Sequence, residues 1–89
     1  MDEHELLPKI GSALRARRVA LGLSQEAFAD KIGMHRAYYG RIERGRTNLT
    51  IGTLNRLAGG LKVSLGALFT SVEAESTRDA GLLSGSDGG

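Results

Sequence analysis

Residues 33–46 read "GMHRAYYGRIERGR". The stretch holds four arginines, two adjacent tyrosines and one acid, Glu43. At about 100° per residue, a helix over 35–44 puts Arg36, Ala37, Gly40, Arg41 and Arg44 on one face. Tyr39 and Ile42 fall opposite, and Tyr38 falls on the boundary. The spacing thus predicts an amphipathic helix. Its aromatic and aliphatic side anchors it, and its outer face is cationic and otherwise nearly bare. Gly40 costs about 1 kcal/mol of helix propensity relative to Ala. In so short a helix, that glycine suits close approach to a surface; an incidental glycine is the other reading. A major groove about 12 Å wide admits one helix, and arginine can pair bidentately with guanine there.

Signals on either side predict more helices. Gly22, Gly33 and Gly45 each follow an apolar-periodic segment, where helix C-terminal glycines belong. Ser24, Thr50 and Ser64 precede such segments as N-caps. Pro8 suits the first position of a helix. These signals give five helices, at about 8–21, 25–32, 35–44, 51–60 and 65–72. Expected inward residues are Ile10, Leu14 and Leu21; Phe28, Ala29 and Ile32; Ile51, Leu54, Leu57 and Ala58. "LKVSL" could form an isolated short strand, but Ser64 caps the helix after it. Helix two, a short turn around Gly33 and helix three form a helix-turn-helix arrangement.

The 89 residues suit one domain with an aliphatic core: there are two Phe, two Tyr and no Trp. The absence of cysteine excludes disulfides and thiolate metal sites. The N-terminus is acidic and lacks the apolar run of a secretory signal. No segment approaches the roughly 20 apolar residues of a membrane span. The net charge of +2 conceals an asymmetry. Residues 8–69 carry a net +8, and residues 1–7 and 70–89 carry −3 each. A basic body between acidic ends suits a polyanionic partner, or else a solvated arginine-rich surface. The expected organisation is an acidic arm over 1–7, a helical domain over 8–72, and a flexible Gly/Ser-rich tail over 73–89.

Leu23-Ser24-Gln25, Ala29, Gly33, Ile42-Glu43-Arg44-Gly45, Leu54, Leu57-Ala58, Val63-Ser64 and Leu68-Phe69 resemble the Cro/C1-type (XRE-like) helix-turn-helix domain of bacterial and phage regulators. The resemblance runs from about Ile10 to Phe69. "HRAYYGRIERGRTNLTI" is most similar to the restriction–modification controller proteins. The resemblance implies an all-α, compact five-helix lambda-repressor-like domain. It implies a homodimer that binds palindromic double-stranded DNA in the bacterial cytoplasm and regulates transcription. Arg36, Ala37, Tyr38, Gly40 and Arg41 then fall at base-contacting positions. Ser24, Gln25, His35, Arg44, Arg46, Thr47 and Asn48 fall at phosphate contacts, with Gln25 also bracing helix three. Arg18 and Glu43 match an internal ion pair. Ala37 and Gly40 replace the family's common Gln, Ser or Thr, so few side chains remain to read bases. Lys62 stands where glycine commonly ends helix four, which puts that turn in question, and Gly59-Gly60 predicts a loosened helix end.

Glu43, a single acid beside Arg44, suits an ion pair rather than catalysis. His4 and His35 have no second ligand at a useful spacing, so no metal is expected. No cofactor, small-molecule ligand or catalytic pair is expected either. Arg15 and Arg17 read as solvated charges. Tyr39 reads as core, and Tyr38 as either contact or packing. Leu65, Leu68, Phe69 and Val72 suit a two-fold dimer contact or simple closure of the core. An antitoxin or adaptor that also binds DNA is the competing function, with 70–89 as the partner-binding segment.

Overall fold

The computed structural model describes residues 2–74. Five helices and no strand occur among them: α1 Glu3–Ala20, α2 Gln25–Lys31, α3 Arg36–Glu43, α4 Ile51–Gly60 and α5 over residues 65–74. "LKVSL" forms the turn into α5. Apart from its first two residues, 73 and 74, the segment expected as a tail lies outside the described residues, as does most of the 70–89 segment.

The start of α1 corrects the expected acidic arm. The helix begins at Glu3 and runs through Pro8, which is therefore interior rather than first. Asp2 is the N-cap: its carboxylate accepts from the Glu5 N–H at 3.0 Å, and its carbonyl accepts from the Leu6 N–H at 2.9 Å. An acidic first turn suits the positive end of a helix. Leu6 also packs against the core, so helix formation buries apolar surface that an extended arm would expose.

Four helices end in the same way. Gly22, Gly33 and Gly45 adopt left-handed backbone (φ +76, +66 and +69) one residue past the cap, and Lys62 does the same at +61. After α1, the Gly22 N–H donates to the Val19 carbonyl and the Leu23 N–H donates to the Arg18 carbonyl. After α4, the Lys62 N–H donates to the Gly59 carbonyl and the Val63 N–H to the Ala58 carbonyl. This Schellman geometry satisfies carbonyls that a helix end leaves open. Lys62 therefore preserves the turn that its identity put in question. At the N-termini, Ser24, Thr50 and Ser64 accept from the N–H groups of Ala27, Thr53 and Ala67 at 3.0 Å each.

The core centres on Leu14, Phe28, Tyr39, Ile42, Leu57, Leu61 and Val72. The Phe28 and Tyr39 rings meet at 5.1 Å, tilted by 58°. Leu21 and Ile32 are half-buried. Ile51 departs from expectation: it is 66% exposed, because it opens α4 beyond the edge of the core. Leu68 and Val72, expected at a dimer contact, are instead buried within the single chain, at 3% and 2% exposure. They face inward because α5 closes the core; Leu65 and Phe69 remain half-buried.

Gly60 is a close-approach residue rather than a weak point. A methyl group there would lie 2.4 Å from Ile32 Cγ2. Gly11 does the same for α1, where a methyl group would lie 2.3 Å from the Glu43 carbonyl oxygen.

Replacing Lys62 by Gly removes a left-handed cost of about 1–2 kcal/mol, offset by about 0.5–1 kcal/mol of added chain entropy. Thermal melting of Lys62→Gly is therefore expected to show a small gain in stability. A loss would mean that the Lys62 side chain contributes more than its backbone costs.

Candidate nucleic-acid interface

Glu43 closes α3 and is only 9% exposed. Arg18 of α1, 8% exposed, donates to it twice: Nε to Oε2 at 2.6 Å and Nη2 to Oε1 at 3.0 Å. Gln25 Nε2, at the start of α2, donates to Oε1 at 2.9 Å. The Tyr39 hydroxyl donates to Oε2. Arg18 Nη1 also donates to the Leu23 carbonyl at 2.7 Å, in the turn before α2. One carboxylate thus ties α1, α2 and α3 together. The Arg18–Glu43 pair and the bracing by Gln25 are where the resemblance placed them. Tyr39 has a second job that a purely apolar reading missed; its four-residue spacing from Glu43 was the available signal.

Burial alone pushes the Glu43 carboxyl up. Hydrogen bonds from Arg18, Tyr39 and Gln25, with the Arg18 charge, outweigh it and hold the group below its ordinary 4.5. Burial, then the hydrogen bond to Glu43, pushes the Tyr39 hydroxyl well above its ordinary 10.0. The hydrogen bond to Glu43 likewise raises Arg18.

With its inner side fixed, α3 turns its other face outward. Gln25, His35, Arg36, Ala37, Gly40, Arg41 and Arg44 line one open concavity. Arg36 and Arg41 therefore project to the same side. Arg36 is not idle there: its Nη1 lies 3.1 Å from Glu26 Oε2 in an exposed ion pair. Such pairs contribute about 0–1 kcal/mol, so this one can be exchanged for another acceptor. Arg41 lies over the face of the half-buried Tyr38, 5.8 Å from the ring centre. Gly40 is buried, because the Arg44 guanidinium and the Gln25 amide lie over it. A methyl group there would sit 3.3 Å from Arg44 Nη1, a flexible tip. His35 caps α3, its Nδ1 accepting from the Ala37 N–H at 3.3 Å.

The remaining positions lie elsewhere. Ser24 caps α2. Arg46, Thr47 and Asn48 line a second concavity with His4 and Leu7, beside the start of α1. Ile51 and Phe69 border an apolar groove with Leu6, Leu7, Ile10 and Leu49. Arg17, read as a solvated charge, donates from Nε to the Leu61 carbonyl at 3.1 Å and so covers the end of α4. Nothing in the local sequence pairs those two residues, which stand 44 positions apart.

A short α2, a glycine turn and an α3 with a cationic open face define a helix-turn-helix DNA-binding domain. Specifically, the chain belongs to the helix-turn-helix family HTH_3, whose model matches residues 14–68. It is 37% identical over 68 residues to control protein C.MunI of a Mycoplasma species, covering 75% of this chain and 92% of that protein. Its structure is similar to that of the restriction–modification controller protein C.AhdI from Aeromonas hydrophila, with a TM-score of 0.66 and 40% identity over 70% of this chain and 94% of that one. It is also similar to the controller protein C.Esp1396I, solved as a tetramer with its natural 35 base-pair operator. That TM-score is 0.73, with 36% identity over 79% of this chain and 92% of that one.

The lowered Glu43 value means that its contribution to stability is present above about pH 4.5 and is lost as pH falls through the folded value. The raised Tyr39 value means that its contribution is present below pH 10.0 and fades as pH rises beyond it. Denaturant melts across pH are expected to show a plateau between those limits. Glu43→Gln, which strands the buried Arg18 charge, is expected to cost about 3–5 kcal/mol at neutral pH and to flatten the acid limb. An unchanged midpoint for that variant would mean that the carboxylate does not hold the helices together.

Proposed function

We propose that this chain is a sequence-specific transcriptional regulator, cytoplasmic and homodimeric, that binds palindromic double-stranded DNA through α3. The observation carrying this reading is the single concavity over the helix-turn-helix. In it Arg36, Arg41 and Arg44 stand around Ala37 and Gly40, and the flexible tips of Arg44 and Gln25 lie over Gly40. Two such units would set their α3 helices in successive major grooves, about 34 Å apart. Arg36 and Arg41 would read guanine edges, with Ala37, Gly40 and Tyr38 shaping the fit. Gln25, His35 and Arg44 would hold phosphates at the rim of the same concavity, and Ser24 can offer only its hydroxyl proton. Arg46, Thr47 and Asn48 would grip the backbone from the second concavity. The operator complex of the similar controller C.Esp1396I supports DNA as the partner.

The dimer contact belongs to the apolar groove. Leu65 and Phe69 are half-buried, and the exposed Ile51 stands at the groove edge beside Phe69.

Selection from a random duplex library is expected to yield an inverted repeat. Arg36→Ala and Arg41→Ala should each lower affinity for it by about 1–3 kcal/mol and relax base preference at one position per half-site. Arg44→Ala should weaken selected and random duplexes alike and reduce the salt slope by about 0.9 per protomer, about 1.8 for the dimer. Sedimentation of Phe69→Asp is expected to show a folded monomer. If the library gave no enrichment in low salt, the reading would fail.

A further inference from the structure

Arg56 belongs to α4, yet its guanidinium lies on the turn between α2 and α3. Nε donates to the Ile32 carbonyl at 3.1 Å, and Nη2 donates to that carbonyl and to the Gly33 carbonyl at 2.9 Å. Ile32 is the α2 C-cap, and Gly33 is the left-handed residue that starts the turn. Both carbonyls stand at the negative end of α2, where a cation is favoured. A guanidinium presents its donors in a rigid planar fork, whereas a lysine ammonium is a compact point charge on a flexible stem and holds the same carbonyls with less fixed geometry. The same turn receives α4 at Gly60, whose missing side chain leaves room for Ile32. Arg56 and Gly60 thus hold Ile32 from one helix. This turn sets the angle at which α3 leaves α2, while the Glu43 cluster fixes the other end of α3.

We propose that Arg56 is a positioning residue for DNA reading. It clamps the α2–α3 turn from α4, so that Arg36 and Arg41 meet the groove at a fixed angle. It touches no DNA itself. The inference rests on the proposed function, and the experiment separates the two.

Binding of wild type, Arg56→Met and Arg56→Lys is measured by gel shift against the selected duplex and a random duplex, over about 50–200 mM salt. Amide exchange at Met34 and His35 is followed in parallel. Arg56→Met is expected to lose about tenfold in affinity for the selected duplex, the equivalent of one charge-assisted hydrogen bond. Its affinity for the random duplex and its salt slope stay at wild-type values. Exchange at Met34 and His35 quickens, while exchange at Arg44 and Gly45 does not. Arg56→Lys restores only part of the loss. Unchanged affinity for the selected duplex would overturn the proposal. So would an equal loss on both duplexes with the slope reduced by about 0.9 per protomer, about 1.8 for the dimer, since that marks a phosphate contact. If Arg56→Met does not fold, Arg56→Lys decides, and full wild-type affinity in it overturns the clamp. Failure of the wild type to bind any duplex removes the functional reading, and this inference with it.

Discussion

A buried carboxylate that accepts hydrogen bonds from three helices governs this structure. Glu43 takes two from Arg18, one from Gln25 and one from Tyr39. A charge at this depth is tolerated only because its lone pairs are filled. That condition fixes geometry as well as energy: α1, the start of α2 and the end of α3 can sit in only one mutual arrangement. No buried side-chain nitrogen or oxygen among the described residues lacks a partner. The face of α3 opposite this cluster is left to solvent, and there the arginines converge.

The arginines do three different jobs, and their neighbours rather than their chemistry decide which. Arg18 is buried against Glu43. Arg17 and Arg56 cover the carbonyl ends of α4 and α2. Arg36, Arg41 and Arg44 surround an open concavity. Charge counting cannot sort them, because all three groups add equally to the basic body. The contacts show that part of the positive charge holds helices together, and only part is offered outward.

The glycines divide in the same way. Gly22 follows α1 with open space around it, so its value lies in the positive φ alone. Gly11 and Gly60 have ordinary helical backbone but would collide with neighbouring atoms if they carried a methyl group. Gly40 meets only flexible tips. It lies among the arginines of the α3 face, and the tips over it can move aside on the proposed approach to DNA.

Local signals were sufficient for the helices themselves. Caps at Ser24, Thr50 and Ser64 and turn glycines at 22, 33 and 45 act within a few residues, so the sequence by itself determined where α2, α4 and α5 begin and where α1, α2 and α3 end. The arginine face of α3 was legible for the same reason, since a helix wheel needs only spacing. Resemblance to a known family supplied Arg18–Glu43 and Gln25, which spacing could not. What only the tertiary structure decided depends on residues far apart in the chain. Pro8 lies inside a helix because Leu6, before it, finds a core built from distant segments. Leu68 and Val72 are interior because α5 folds back. Arg56 reaches a turn 24 residues away. Backbone propensity acts through neighbouring peptides, whereas burial and charge pairing exist only after distant segments have met.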